Sequence, residues 1–157
     1  RVHGPSPRMS LSWALWQLVP SPELGVSREG ARFGAKWQLT PVLYSFGVDR
    51  RLDPWRWFVA EPIVRHSGSI ELFVSPEYLS GDDAGFGARF GLRSYFGLIE
   101  RGDGLSISLG TSYYRFDARD GASYEAGAYV LFGMLGLEVG YLPNLDTLVT
   151  TLRLRYF

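Results

Sequence analysis

The feature that most constrains the fold is the stretch of residues 85–99, in which the character of the side chains alternates. One row of every second residue is mostly apolar and carries no charge: Phe86, Ala88, Phe90, Leu92, Ser94, Phe96 and Leu98. The other row holds glycines with isolated polar residues: Gly85, Gly87, Arg89, Gly91, Arg93, Tyr95 and Gly97. A period of two over this length predicts a β-strand with one apolar and one polar face.

The same alternation recurs along the chain and predicts an all-β fold without helices. Turn residues between the alternating segments, such as PSPELG at 20–25, HSGS at 66–69 and PNLD at 143–146, divide them into strands. The predicted strands are 9–19, 31–47, 56–65, 70–79, 85–99, 104–117, 122–132, 134–142 and 147–157. We expect one domain over residues 1–157, with 1–8 as a mobile N-terminal segment and no connection longer than about ten residues.

Counting strands leaves two alternatives to these nine segments. A break at Pro41 would give ten strands, whereas a single bulged strand over 56–79 would give eight. Eight fits the chain length better, at roughly 20 residues for each strand with its turn, and bacterial single-chain membrane barrels have even numbers of strands.

Composition excludes several classes of protein. Sixteen basic and sixteen acidic residues cancel, so no overall field favours nucleic acid. The chain has no cysteine, which excludes disulfides and thiolate metal sites. The longest nearly apolar run, 129–137, is too short for a membrane-spanning helix, which needs about 20 residues.

The composition of the two faces indicates which one points inward. Glycine weakens an exposed strand, but inside a narrow barrel it leaves room for a few large charged side chains. The apolar rows match a lipid-facing band with aromatic residues near its edges. Candidates for these aromatic girdles are Trp13, Trp16, Trp37, Trp55, Trp57, Tyr113, Tyr141 and Tyr156.

The alternating segments, the short turns and the aromatic last residue Phe157 together resemble the small outer-membrane β-barrels of Gram-negative bacteria. The resemblance is architectural and covers most of the chain. It implies a closed antiparallel up-and-down transmembrane barrel in the bacterial outer membrane, with membrane lipid and an envelope protein as partners. The chain departs from the assembly signal of that class, because Arg155 and Arg153 share the row of Phe157 and the apolar row ends at Tyr156.

With the polar rows inside, the lumen would receive charges of both signs. Buried ions must pair, and the interior of an eight-stranded barrel is just filled by side chains, so we expect a plug of ion pairs. Arg89 and Arg93 are expected to pair with Glu125 and Glu138, and Glu71 is a further inward carboxylate. The predicted network is Arg32, Lys36, Arg89, Arg93, Glu125, Glu138, Arg153 and Arg155.

The segment RHSGSIE contains the chain's best cluster for hydrolytic catalysis, with His66 and Ser69 as weak candidates. In an extended strand His66 and Ser67 point to opposite faces, and only a turn would bring His66 to Ser69. We therefore expect no hydrolase activity, and the sequence indicates no cofactor and no metal site. The favoured function is a non-enzymatic structural or interaction component of the envelope. Three alternatives remain: a barrel enzyme acting on outer-membrane lipid in the manner of a deacylase, a narrow pore, and a soluble lipocalin-like binder.

Overall fold

In the computed structural model, which describes residues 11, 15, 18–27, 30–47, 52–80, 85–99 and 104–154, the sheet closes on itself. One short helix, α1 (Pro62–His66), and two 3₁₀ turns, Leu131–Gly133 and Pro143–Leu145, interrupt the strands. The strands are β1 (Ser21–Ser27), β2 (Gly30–Lys36), β3 (Leu39–Ser45), β4 (Trp55–Trp57), β5 (Ser69–Leu79), β6 (Gly85–Ile99), β7 (Leu105–Phe116), β8 (Arg119–Val130), β9 (Leu135–Leu142) and β10 (Thr147–Leu154).

Eight of these strands form an antiparallel ring in the order β1, β2, β5, β6, β7, β8, β9 and β10, and β10 pairs again with β1. The ring is closed by the β2–β5 pairing, in which Gly34 lies opposite Leu79 and Lys36 opposite Glu77. β3 continues along β5 after a break at 37–38, and β4 pairs with the outer edge of β3. The predicted all-β fold and the closed eight-stranded antiparallel barrel are therefore confirmed, with two additional strands.

The two ends of the barrel differ. At one end, which we call the turn end, β7 and β8 are joined by residues 117–118 and β9 and β10 by residues 143–146. At the other, which we call the capped end, residues 46–68 connect β3 to β5 and include β4 and α1. This connection is much longer than the ten residues expected from the sequence, because the strand predicted at 56–65, between two turns, does not form.

The predicted strands match well in the second half of the chain. β6 has the predicted bounds, and β5, β7, β8 and β9 differ from prediction by three residues or fewer at each end. In these segments the burial of side chains alternates along the strand, as the alternation in the sequence does.

The predicted strand 9–19 and the predicted turn at 20–25 are wrong at the residues that the structure describes, whereas the predicted mobile segment 1–8 lies outside those residues. The described residues of the predicted strand 9–19 (Leu11, Leu15, Leu18 and Val19) lie in no strand, and the spacing of these three leucines is helical. PSPELG, predicted as a turn, begins β1 instead. Pro22 is the second residue of β1 and precedes the pairing with β10, which starts at Glu23. Proline is tolerated near the start of a strand.

The predicted strand 56–65 is also wrong. Only Trp55–Trp57 is extended, and Pro62 starts α1, a position at which proline is well suited to a helix. A helix of five residues is too short to show a helical period, so the sequence pattern could not reveal it. The alternative of one continuous strand over 56–79 is also wrong, because α1 lies between β4 and β5.

The barrel is polar inside and apolar outside. Leucine, valine, isoleucine, phenylalanine and tyrosine side chains on all the ring strands are exposed, including Val26, Phe33, Ile70, Phe90, Leu109, Tyr124, Leu137 and Leu148. The buried residues of the same strands are mostly charged or hydroxyl-bearing. This is opposite to a lipocalin-like arrangement, in which the apolar rows would surround the interior. No helix among the described residues is long and apolar enough to cross a membrane.

Candidate functional site

The lumen contains five carboxylates and five basic side chains, counted over the described residues, so its formal charges cancel. All ten belong to buried residues. They are Glu23, Glu71, Glu77, Glu125 and Glu138, and Lys36, Arg65, Arg89, Arg93 and Arg153. Because an unpaired buried ion costs several kcal/mol, the geometry of the pairs determines whether this interior is stable.

Arg93 lies at the centre of the network. Its Nε and Nη2 both donate to Glu125 Oε1, at 3.0 Å and 2.5 Å. Its Nη1 is 3.1 Å from Glu138 Oε1 and 3.4 Å from Glu71 Oε1. The guanidinium also stacks 4.4 Å from the ring centre of Phe73, a cation–π distance. One arginine on β6 thereby connects carboxylates on β5, β8 and β9.

Glu71 is the principal acceptor on the side of the capped end. Gln38 and Tyr95 donate to its Oε1 at 2.7 Å and 2.8 Å, and Thr40 donates to its Oε2 at 3.0 Å. Arg65, which reaches inward from α1, places its Nε 3.2 Å from Oε2. The carboxylate thus joins α1 to β3, β5 and β6 through charge-assisted contacts.

Towards the turn end, the ions pair with fewer hydrogen bonds. Arg89 Nε is 3.0 Å from Glu77 Oε1, and Arg89 Nη2 is 3.4 Å from Glu23 Oε1. The Arg89–Glu77 contact is not aligned as a hydrogen bond. Lys36 lies centrally, with its Nζ 3.5–3.7 Å from Glu77, Glu125 and Glu138. This part of the lumen depends more on charge proximity than on directed hydrogen bonds.

Glycines on the inward rows provide the space for these side chains. A Cβ on Gly110 would lie 2.9 Å from Glu125 Oε1, and one on Gly140 would lie 3.2 Å from Arg89 Nη1. Gly127 likewise leaves room for the hydroxyl of Tyr129, which donates to Glu138 at 2.5 Å. The sequence interpretation that glycine makes room for large interior residues agrees with these distances.

The structure brings together six of the eight residues expected in the lumen: Lys36, Arg89, Arg93, Glu125, Glu138 and Arg153. Arg32 lies on the same row of β2 as Lys36 and is half-buried. Arg155 lies outside the described residues, as do Trp13, Trp16, Tyr156 and Phe157.

Three lumen residues were not predicted. Glu77 shares the inward row of β5 with Glu71, so strict alternation would have found it. Glu23 was hidden because its segment was interpreted as a turn. Arg65 enters the lumen from a helix, and no sequence pattern predicted that helix.

His66 contacts Ser106 rather than Ser69, the serine considered with it in the sequence analysis. Its Nδ1 is 2.7 Å from Ser106 Oγ on β7, whereas the Ser69 hydroxyl donates to the backbone oxygen of Arg65 at 2.7 Å. The ring of His66 packs between Tyr95 and Tyr129, with ring centres 5.0 Å and 4.9 Å away. The structure therefore does not bring the two weak catalytic candidates together, because the Ser69 side chain bonds to the last turn of α1.

Apolar side chains pack at both ends of the lumen. At the turn end, Tyr114, Leu142 and Val149 form a buried cluster, with Phe116 and Leu145 packed against it. At the capped end, Val64 of α1 packs with Leu43 and Ala60. The position of His66 requires glycine at residue 133, where a side chain would overlap the imidazole and where φ is 84°.

No group of three or more histidine, cysteine or acidic side chains among the described residues is arranged to hold a metal ion. Comparisons with protein-family models, with curated proteins and with solved structures found no match to this chain. Functional inference therefore depends on the geometry of the barrel itself.

Proposed function

We propose that this protein is a small transmembrane β-barrel of the bacterial outer membrane, acting as a non-enzymatic structural or interaction component of the envelope. Its partners on this proposal are membrane lipid along the wall and another envelope protein at a rim. The lumen is a plug of ion pairs rather than a passage.

The observation that carries the proposal is the reversal of polarity between wall and lumen. Soluble monomers rarely expose a contiguous apolar patch larger than a few hundred Å². Here every ring strand exposes apolar side chains, while ten ionisable groups are buried. That arrangement is favourable when the surroundings of the wall are themselves apolar, as in a lipid bilayer.

The distribution of aromatic residues on the wall supports the same proposal. Exposed Tyr44, Trp55, Trp57 and Phe96 lie near the capped end, and exposed Phe86 and Tyr141 lie near the turn end. Between them, the exposed aliphatic residues Leu92, Leu109, Leu137 and Val139 are accompanied by the exposed aromatic residues Phe33, Phe90, Tyr113 and Tyr124. Aromatic residues at both edges of the wall are typical of membrane barrels.

A narrow pore is less well supported than a plug. Side chains of the ring fill the turn end, and α1 covers the capped end. The charges between the ends are in contact with one another, so a hydrated path would require many pairs to separate.

The test introduces one arginine at two depths of the wall. Phe90 and Phe86 lie on the same apolar row of β6, and both are exposed. Phe90 is opposite Val74, at the middle of β5, whereas Phe86 is opposite Tyr78, near its end. In phosphatidylcholine vesicles Phe90→Arg should lower the free energy of unfolding by about 2–4 kcal/mol and Phe86→Arg by about 0–1 kcal/mol.

Urea titration followed by circular dichroism measures both values. Equal losses for the two variants would contradict a bilayer around the wall. A wild-type chain that stays folded and monomeric in buffer without lipid or detergent would also contradict it.

A further inference from the structure

A cavity of about 260 Å³ lies at the capped end, between α1 and the adjoining ends of β6 and β7. It is separate from the ion-pair network. Three glycines, together with Ile63, His66, Ser67, Ile99, Leu105 and Ser106, line it. Sites for drug-sized ligands start at about 300 Å³, so this cavity fits one slender chain or part of a larger molecule.

The outer wall of the cavity is aliphatic. Ile63 is 66% exposed and Ile99 is 52% exposed, and both adjoin the apolar outer surface of the barrel. Among the described residues that line the cavity, none is Asp, Glu, Lys or Arg. An uncharged hydrocarbon chain matches the aliphatic side chains of this wall.

The floor of the cavity is polar and built from two elements. Ser106 of β7 and His66 of α1 are both buried and lie 2.7 Å apart through Oγ and Nδ1. The hydroxyl of Ser67 donates to the backbone oxygen of Val64 and is already used. A serine hydroxyl has one hydrogen and two lone pairs, so Ser106 keeps hydrogen-bonding capacity beyond its contact with the imidazole.

The backbone around this site is held in strained conformations. Phe58, which precedes α1, has φ of 58°, and Leu131, which precedes the glycine that accommodates His66, has φ of 53°. Bulky residues rarely adopt positive φ, and such strain tends to cluster at ligand sites. The position of α1 over the floor is thus maintained at a cost in backbone energy.

We propose that this cavity binds a single acyl chain bearing an uncharged carbonyl group, as in a fatty acid ester. The chain lies against Ile63, Ile99 and Leu105, and the carbonyl oxygen accepts a hydrogen bond from the hydroxyl of Ser106. In this arrangement the imidazole of His66 carries its hydrogen on Nδ1 and donates it to the Ser106 oxygen, which leaves the hydroxyl hydrogen for the carbonyl. This assignment depends on the geometry of the capped end and not on whether the wall faces lipid.

The experiment uses the full chain in micelles of a rigid steroid-based detergent, which has no flexible chain to compete for the cavity. The probe is a methyl ester of a long-chain fatty acid with a photoreactive diazirine in the chain. After illumination, mass spectrometry should locate the label in peptides containing α1, the end of β6 and the start of β7. Label spread evenly over the wall would overturn the proposal.

Matched variants distinguish a hydrogen bond from Ser106 from non-specific binding of the hydrophobic probe. Ser106→Ala should raise the probe concentration that gives half-maximal labelling about tenfold, the change expected for one lost hydrogen bond of ordinary strength. Ser108→Ala is the control, because Ser108 lies two residues along β7, is equally buried and bonds to Tyr129 in the lumen. The Ser108→Ala variant should label as the wild type does. Equal labelling of Ser106→Ala and Ser108→Ala would overturn the proposal.

A second pair of measurements remains informative if Ser106→Ala perturbs folding. An ether of the same chain length lacks the carbonyl, and it should bind the wild type about tenfold more weakly than the ester. Leu105→Trp, which places bulk in the cavity, should abolish labelling while the circular dichroism spectrum is retained. Ether and ester binding with equal affinity, or undiminished labelling of Leu105→Trp, would contradict the assignment.

Discussion

The two ends of this barrel are closed in different ways. At the turn end the ring closes itself, because the buried side chains of β7, β9 and β10 meet in one apolar cluster. At the capped end the closure comes from α1, an element outside the sheet, anchored by the contact of Arg65 with Glu71. The sheet thus supplies its own apolar closure at one end but needs an inserted segment and a charge at the other.

Backbone conformation follows the same division. Among the described residues other than glycine, those with positive φ at the turn end are Asp117 and Asp146, and aspartate tolerates that region well. Those at the capped end are Phe58 and Leu131, for which it is costly. The turn end is therefore locally relaxed, whereas the capped end is held in place by its tertiary contacts.

The largest effect is expected from removing Glu71, the carboxylate that contacts Arg65 of α1 at the capped end. Glu71→Ala leaves Arg65 without its buried carboxylate, and the loss of one partner of a buried pair costs about 3–5 kcal/mol of unfolding free energy. Urea titration in detergent micelles measures it. Glu61→Ala is the control, since Glu61 in the same connection makes an exposed 3.9 Å contact with Arg56 and should cost less than about 1 kcal/mol. Equal losses of unfolding free energy for Glu71→Ala and Glu61→Ala would show that the charge of Glu71 does not hold α1 at the capped end.

A somewhat smaller effect is expected from a cavity at the turn end. Leu142→Ala removes a fully buried side chain from the apolar cluster and should lower the unfolding free energy by about 3 kcal/mol. Leu52→Ala, the same change at an exposed position of the 46–68 connection, should cost about 0.5 kcal/mol or less. If Leu142→Ala is as mild as its control, the cluster does not close this end.

The smallest effect is a gain in stability at the capped end. Phe58 is 60% exposed, so Phe58→Gly relieves its positive φ with little loss of packing and should raise the unfolding free energy by about 1 kcal/mol. Asp117→Gly should change stability by only a few tenths of a kcal/mol, because aspartate tolerates this conformation. A lower unfolding free energy for Phe58→Gly would show that contacts of the phenyl ring stabilise the fold by more than the backbone strain costs.

The sequence predicted the fold best where the alternation is long and uninterrupted. β6 could be bounded from its pattern alone because fifteen residues repeat one rule without a proline. β1 and α1 could not, because Pro22 imitates a turn and a five-residue helix shows no period. Both elements are specified by tertiary pairing rather than by local preference.

The lumen was predictable to the extent that its residues lie on regular strands. Arg89 and Arg93 could be assigned a common face by counting in twos along β6. The partners could only be proposed, because contacts across the lumen join strands that are distant in sequence. Arg65 and the contact of His66 with Ser106 depend on where α1 lies, and no periodicity encodes that position.

The placement of the lumen charges bears on how the chain reaches its closed form. The β8–β9 hairpin carries two carboxylates, Glu125 and Glu138, and they pair with cations on β2, β6 and β10. A sheet that lacks β2 and β10 therefore lacks Lys36 and Arg153, the cations of those strands that contact Glu138, and only the completed ring supplies both. Incomplete rings are penalised, so assembly should be strongly cooperative, with the last strand pairing and the charge neutralisation occurring together.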